Sequence, residues 1–223
     1  YSLFGPLSLG ATTILLESPM LILDPNILKK VIYNLKISVL YLPVTIIRIL
    51  KSLTNNNYLK KNTLKAIGSM GEPLAEDVGN WFSKKFSNNK LAVVNTYFQT
   101  ETGGVICSPK YNEKNYTKLS GTVGKPINKY MEVFLEREKN KIYGKNEKDI
   151  KIKNSWPGCM KDVINGKSFF NKYWDKEFNF RLFDVGNYDI RNNLVVNGRS
   201  DDVINVRGHR IGSGEIESII IKI

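Results

Sequence analysis

The chain has 223 residues, and its 33 lysines and arginines against 21 acidic residues give a net charge of +12. Hydrophobic residues make up 42% and charged residues 24%, an ordinary balance for a globular protein that builds its own core. Cys107 and Cys159 are far apart and His209 is the only histidine, so neither a disulfide scaffold nor a zinc site is indicated. A hydrolase built on a catalytic histidine finds no further support.

Apolar runs near the start of the chain are too interrupted for a spanning helix, which needs about 20 apolar residues. The run over residues 1–23 contains Glu17, and the run over 35–50 contains Pro43 and Arg48. No signal-peptide pattern opens the chain. We therefore expect no membrane contact and a cytoplasmic location, with an organelle as the alternative.

The positive charge does not by itself predict a nucleic-acid partner. Lysines lie in asparagine-rich stretches such as residues 55–57 and 139–141, without an aromatic-interleaved basic face. A solvated surface of biased composition is the interpretation we favour.

Apolar, β-branched segments alternate with helical patterns over the first 95 residues. This alternation predicts an α/β fold with a parallel sheet that helices cover on both faces. The predicted strands are 9–17, 38–41, 64–69 and 91–95, and the predicted helices start at Asp24-Pro25 and span 45–53 and 74–86.

The pattern changes after Glu101. Short alternating segments at residues 131–135, 149–153 and 194–196 predict a small antiparallel or barrel-like β subdomain. A polar turn is expected at 198–202, then a strand at 203–206 and the start of an amphipathic helix at 215–223. We expect residues 1–200 to belong to a large domain, and 201–223 to form a hinge and the start of a small α+β domain.

Two glycine-containing segments follow predicted strands, where loops of an open α/β sheet form the ligand crevice. In the first, residues 68–73 (GSMGEP), glycines let a ligand approach the backbone, although a plain strand-to-helix turn also uses glycine. The second, residues 95–104 (NTYFQTETGG), is richer. Tyr97 and Phe98 can form a stacking plane and a pocket wall, Thr100 can donate to a phosphate, and Glu101 can hold Mg²⁺.

A third segment, residues 198–217 (GRSDDVINVRGHRIGSGEIE), carries Arg199 and Arg210 in turns, where they could neutralise phosphoryl oxygens. Its paired aspartates suit a hinge. The alternative is that the arginines merely pair with acidic neighbours.

Taken together, YFQTETGG and GRSDDVINVRGHRIGSGEIES resemble the AMP-forming acyl-CoA synthetase (adenylate-forming) superfamily. Within it, GSMGEP, the opening FGPLSLGATTILLE and the SWPG segment at 155–158 resemble acetyl-CoA synthetases, in order along nearly the whole chain. The resemblance implies that acetate attacks the α-phosphate of Mg·ATP to give acetyl-adenylate and pyrophosphate. The C-terminal domain then rotates, and coenzyme A displaces AMP.

The resemblance also assigns residues. It implies that Gly71, Glu72 and Pro73 line the adenine and acyl pocket, and that a large ring at Phe98 restricts the acid to acetate or propionate. The remaining implied roles are adenine contacts for Asn95, Thr96, Tyr97 (stacking), Phe98 and Gln99, phosphate for Thr100, magnesium for Glu101, ribose or α-phosphate for Arg199, hinge for Asp201, coenzyme A path for Gly208 and nucleotide phosphate for Arg210.

Three departures from the family pattern put activity in question. Asn187 stands where a ribose-binding aspartate is expected, and an amide loses the strength of a charge-assisted hydrogen bond. The segment 188–196 is shorter than expected. Arg207 replaces a small residue before Gly208 and would crowd or recharge the coenzyme A approach.

Two family elements would lie outside the chain: a phosphate loop before Tyr1 and a catalytic lysine after Ile223. We therefore expect a fragment of a longer acetate–CoA ligase that is inactive alone, with a processed or unusual terminus as the alternative. A degenerate homologue that only binds a nucleotide is the runner-up, and a basic nucleic-acid-binding module is the third hypothesis. The expected partners are small-molecule substrates, and the oligomeric state stays open.

Overall fold

The computed structural model describes residues 3–18, 23–53, 63–110, 122–139, 141, 146–200, 203–206 and 209–212. A short helix, α1 (Phe4–Ser8), comes first. Across the described ranges, no helix has both the length and the apolarity that crossing a bilayer requires.

A three-stranded parallel sheet and its helices form what we call the parallel region, residues 23–95. Its strands are β1 (Val39–Pro43), β2 (Ala66–Met70) and β3 (Val93–Asn95), ordered β1-β2-β3. Its helices are α2 (Pro25–Asn34), α3 (Val44–Leu53) and α4 (Glu76–Ser87). The predicted parallel sheet and the predicted helices are confirmed.

Local chemistry explains where these helices begin and end. The Asp24 side chain accepts hydrogen bonds from the first amides of α2, with Pro25 in the first turn. Helix α4 starts with Glu76 and Asp77, and it ends at Asn88 in the left-handed conformation. The helices bury an apolar core against the sheet that includes Ile47, Ile67 and Phe82.

Antiparallel strands dominate residues 97–200, the antiparallel region. Strands β4 (Tyr97–Gln99), β5 (Gly104–Ser108) and β6 (Lys125–Pro126) form one sheet in the order β4-β5-β6. A four-stranded sheet has the order β10-β9-β8-β7, and the predicted antiparallel subdomain is confirmed. Its strands are β7 (Glu132–Glu136), β8 (Lys148–Lys153), β9 (Asn179–Tyr188) and β10 (Leu194–Arg199), and the short helix α5 (Lys167–Phe170) precedes β9.

A two-stranded sheet pairs β11 (Val203–Val206) with β12 (His209–Gly212), which confirms the strand expected at 203–206. Asp201, Arg207, Gly208 and the helix expected at 215–223 lie outside the described residues. The division into domains at residue 200 stays a prediction.

Two expectations about local structure are wrong. Residues 9–17 form no strand, and Leu9 is 86% and Leu15 75% exposed. A strand exists only through its hydrogen bonds to a neighbour, which an apolar pattern alone does not provide. The turn expected from residue 198 instead continues β10 to Arg199, because Gly198 and Arg199 resume pairing with β9 after a bulge.

Candidate functional site

Polar side chains meet at the carboxyl ends of the parallel strands. Ser69 Oγ donates to Asn95 Oδ1 at 2.9 Å, and both residues are buried. The Thr96 amide donates to the Ser69 carbonyl at 3.0 Å, and the Thr96 hydroxyl bonds that of Tyr41. Because the carboxyl edge of a parallel sheet is where ligands bind in α/β folds, this cluster marks the candidate site.

The loop at Gly71–Pro73 is tied to helix α3. Gly71 has φ of +90°, a conformation that glycine adopts without strain. The Glu72 carboxylate accepts from Thr45 Oγ1 at 2.5 Å and pairs with Arg48 at 3.0 Å. The three loop residues are exposed, while Leu74 anchors the loop in the core at 2% exposure. Glu72 is therefore held by α3 at the rim of the sheet.

Tyr97 is 8% exposed, and its ring belongs to the core of the antiparallel region. Its hydroxyl donates to Asp184 Oδ2 at 2.5 Å. Burial and the neighbouring Asp184 carboxylate raise the pKa of Tyr97 well above its ordinary value, so the phenol stays a donor. Stacking of this ring on adenine stays a prediction, whereas Phe98 beside it is half-buried.

Gln99 uses both ends of its amide within the protein. Its Nε2 donates to the Leu182 carbonyl at 2.7 Å and to Asp184 Oδ2 at 2.6 Å. Its Oε1 accepts from the backbone N–H of Thr102, and the Thr102 hydroxyl accepts from the backbone N–H of Gln99 at 3.1 Å. This reciprocal pair caps a 3-10 turn, Thr100–Thr102.

The turn holds the predicted phosphate and metal residues in place. Thr100 is exposed, and the Glu101 Oε1 accepts from the Tyr173 hydroxyl at 2.8 Å. The Glu101 carbonyl accepts from the Met160 amide at 3.1 Å, and the Thr102 carbonyl accepts from Trp156 Nε1 at 3.0 Å. Trp156, within the segment 155–158 that the sequence singled out, and Met160 shortly after it thus hold the turn in place.

Gly103 follows the turn with φ of +69°, and a Cβ there would collide with the Gly158 carbonyl. Glycine is needed at this position both for its conformation and for the close backbone approach. The two glycine motifs, residues 103–104 and 155–158, therefore pack against each other.

Arg199, at the end of β10, points one nitrogen at β9. Its Nη1 donates to the Leu182 carbonyl at 3.2 Å and lies 3.6 Å from Asp184 Oδ1. The side chain is 41% exposed. Tyr97, Gln99 and Arg199, which the sequence singled out separately, thus converge on Asp184.

Asn187 does not join this cluster. Its Nδ2 donates to the Tyr188 carbonyl at 3.3 Å, and its Oδ1 accepts from Asn197 at 3.1 Å. It lies opposite Val195, whereas Asp184 lies opposite Arg199, about 10 Å further along the strand pair. Arg210 lies in β12, where only the backbone is described, so its predicted phosphate contact stays a prediction.

Two residues of the site were missed in the sequence. Asp184 lies within a segment that we used only for Asn187, and Tyr173 lies 72 positions from the carboxylate it contacts. The signal that could have identified Asp184 is an acidic residue inside an otherwise apolar strand, because a buried carboxylate needs partners.

A protein-family model described as AMP-binding enzyme matches residues 1–148. The chain belongs to the AMP-binding enzyme family. Its curated relatives include the acetyl-coenzyme A synthetases of Marinobacter nauticus, 32% identical over 225 residues, and of Escherichia coli strain K12, 32% identical over 229. Each comparison covers 99% of this chain and 34% of the relative, so the chain spans about a third of their length.

The fold of the chain also matches a solved structure, the anthranilate CoA ligase AuaEII in complex with anthranoyl-AMP. The TM-score is 0.79 at 17% sequence identity, over 99% of this chain and 40% of the other. The α/β fold and the resemblance to acetyl-CoA synthetases, both expected from the motifs, are confirmed.

Glu101 is the carboxylate in the candidate site that could hold a metal ion. Within the described ranges, no three His, Cys, Asp or Glu side chains group as a metal cluster. One carboxylate suits Mg²⁺, which keeps several waters and takes its remaining ligands from substrate phosphates. Burial raises the pKa of Cys107 to about 12, so this thiol stays protonated at neutral pH.

Proposed function

We propose that this chain is the nucleotide-binding part of an AMP-forming acetate–CoA ligase, with ATP, acetate and coenzyme A as substrates of the whole protein. The observation that carries the proposal is the braced turn Thr100–Thr102. It presents an exposed hydroxyl and a carboxylate beside the polar carboxyl edge of the parallel sheet. The similarity to acetyl-coenzyme A synthetases along nearly the whole chain supports the same reaction class.

In this proposal the chain contributes charge stabilisation and positioning, not a nucleophile. Thr100 donates to a phosphate oxygen, and the Arg199 guanidinium binds the ribose or the α-phosphate. Glu101 would hold Mg²⁺, which neutralises phosphate charge when bound. Tyr173 orients the Glu101 carboxylate by donating to one of its oxygens, which leaves the other for the cation.

Phe98 is the residue from which we propose the chain length of the acyl substrate. The family resemblance implies that a bulky aromatic at this position closes the acyl pocket in acetate-specific members, and Phe98 is half-buried. We therefore propose acetate, with propionate as the weaker substrate. Asn95 and Thr96 would lie beside adenine, with the Gly71–Pro73 loop opposite. Asp201, Gly208 and Arg210 complete the proposal as hinge, coenzyme A contact and phosphate contact.

One observation favours a second candidate, a homologue that binds a nucleotide without turnover. The Asn187 amide is engaged by Tyr188 and Asn197, which weakens its case as a ribose ligand. Acetate-dependent exchange of pyrophosphate into ATP by the full-length protein separates the two candidates. We expect exchange that requires acetate and is lost in Glu101→Gln. AMP binding without exchange would establish the second candidate.

Phe98→Gly tests the acyl pocket in the same assay. We expect butyrate and longer acids to become substrates while acetate loses efficiency by about tenfold, since even one methylene contact in an apolar pocket is worth about 1–3 kcal/mol. Phe98→Tyr, which keeps the ring, is the matched control and should retain the preference for acetate. An unchanged chain-length profile in Phe98→Gly would remove Phe98 from the pocket.

A further inference from the structure

Asp184 is a buried carboxylate that none of the assigned roles uses. It is 6% exposed, and its Oδ2 accepts from the Tyr97 hydroxyl and from Gln99 Nε2. Its Oδ1 faces the Arg199 guanidinium. An ionised carboxylate at this burial is costly unless donors surround it, and Tyr97, Gln99 and Arg199, which meet it here, are residues of the candidate site.

The carboxylate decides which way the Gln99 amide points. Asp184 Oδ2 and the Leu182 carbonyl can only accept, so the NH₂ group of Gln99 must face them. The amide oxygen then faces the Thr102 amide, the donor at the end of the 3-10 turn. Asp184 therefore acts, through one side chain, on the turn that carries Thr100 and Glu101.

The same carboxylate aims Arg199. Both Asp184 Oδ1 and the Leu182 carbonyl lie near Nη1. A guanidinium is planar, so attracting one nitrogen toward β9 fixes the direction of the others. The buried Asp184 carboxylate thereby orients the exposed part of the Arg199 side chain.

A backbone distortion places Asp184 in this position. Phe183 has φ of +54°, and the register of β8 with β9 shifts between Asp149 and Lys151. A bulky residue in this conformation is strained and persists only when its surroundings hold it. Here the Phe183 carbonyl accepts from the Ser200 amide at 2.7 Å, and its ring packs edge-on against Tyr173.

We propose that Asp184 is a positioning residue for the nucleotide site. It holds Gln99 and Arg199, and through Gln99 the Thr100–Thr102 turn, in the arrangement that binds the phosphates of ATP. The proposal deepens the proposed function and rests on it.

A spectroscopic test detects whether Asp184 positions the Gln99 side chain, and it does not depend on enzyme activity. In ¹⁵N-labelled protein, Asp184→Asn should move the side-chain amide resonance of Gln99, which is assigned by its loss in Gln99→Met. Asp162→Asn changes an exposed aspartate that accepts from the Val163 amide, and it should leave that resonance in place. An unmoved Gln99 resonance in folded Asp184→Asn protein overturns the proposal even if the enzyme is active.

A kinetic test reads the consequence in the full-length protein. We expect Asp184→Asn to raise the KM for ATP about tenfold, the factor that one charge-assisted hydrogen bond provides, with the KM for acetate nearly unchanged. The double variant Asp184→Asn/Arg199→Gln should lose less than the two single variants combined, because part of the effect of Asp184 passes through Arg199. Additive losses, or equal losses in kcat for all substrates, mean that Asp184 serves stability only and contradict the proposal.

A failure of the proposed function and a failure of the Asp184 proposal can be told apart. If the wild-type protein shows no exchange, the proposed function falls, while the Gln99 resonance still decides whether Asp184 positions this amide. If Asp184→Asn does not fold, Gln99→Met carries the kinetic test, because it removes the link to the turn and leaves Asp184 with Tyr97 and Arg199. A KM for ATP unchanged in that variant would overturn the proposal.

Discussion

The parallel and antiparallel regions place their polar groups in different ways. The core of the parallel region is aliphatic and aromatic, and its buried polar residues lie at the strand ends, as Ser69 and Asn95 do, or on α4, as Lys85 does. The antiparallel region buries Asp149, Lys151 and Asp184 inside its sheet.

The two regions therefore differ in what stabilises them. The parallel region gains stability from burial of apolar surface, and its buried polar groups lie at its strand ends and on α4. The antiparallel region buries charges that must be paired, which fixes side chains in one arrangement at a cost in stability. We therefore expect the first region to respond to lost volume and the second to lost charge and to pH.

The largest expected effect comes from Phe82→Ala in the parallel region. Phe82 is fully buried and packs edge-on against Phe86. We expect the free energy of unfolding to fall by about 3–5 kcal/mol, because a large cavity replaces the ring. Urea denaturation followed by circular dichroism measures it, and Tyr33→Ala, at an exposed position on α2, is the control. A loss below about 1 kcal/mol would show that this core is not close-packed.

A smaller effect is expected when charge is removed from the antiparallel sheet. Lys151 is 4% exposed and donates to Glu136 at 2.6 Å and to Asp175 at 3.0 Å. Lys151→Met should lower the free energy of unfolding by about 2 kcal/mol, since carboxylates lose a charged donor. Lys153→Met on the same strand, where the pair with Glu132 is exposed, should cost under about 1 kcal/mol. Equal losses of stability in Lys151→Met and Lys153→Met would show that burial of the ion pair does not cause the larger effect.

The smallest expected effect is a dependence on pH. Burial raises the pKa of Asp175, but hydrogen bonds from Asn179 and Lys151 outweigh it and hold this pKa below its ordinary 3.8. A lowered carboxyl pKa stabilises the fold above the unfolded value, and this stabilisation is lost as the pH falls through the folded value. The unfolding midpoints of wild type and Asp175→Asn should therefore converge below about pH 4.

Asp77→Asn gives the matching measurement in the parallel region. The pKa of Asp77 is lowered by its hydrogen bond from Lys51, but this pair lies at the surface. Its pH dependence should be weaker than that of Asp175 and should diminish in high salt. A stronger acid dependence at Asp77 would contradict the contrast between the regions.

The elements of the parallel region could be predicted because their signals are local. The helix expected at 45–53 is found at Val44–Leu53, and the strand expected at 64–69 at Ala66–Met70. Strand β9 was missed because Asp184 and the bulge at Phe183 interrupt its apolar pattern. A period-two pattern fails wherever a strand inserts an extra residue.

The residue types of the candidate site could be predicted from the sequence, but the contacts between these residues could not. The hydroxyls, amide and carboxylate of NTYFQTETGG are visible in the sequence, as is Arg199 in GRSDD. That Gln99 and Arg199 share one carboxylate 85 positions away from Gln99 is set by how β4, β9 and β10 come together. Only the tertiary structure contains this information.

Thr96 is the single residue between β3 and β4, and so between the two regions. Its amide is bonded to Ser69 of one region, while Tyr97 directly after it reaches Asp184 of the other. A split-protein design that cut the chain here would leave each half with its own complete strands but with only part of the site. Reassembly of the halves would then restore the site, because Asn95 and the Thr100–Thr102 turn would lie in different halves.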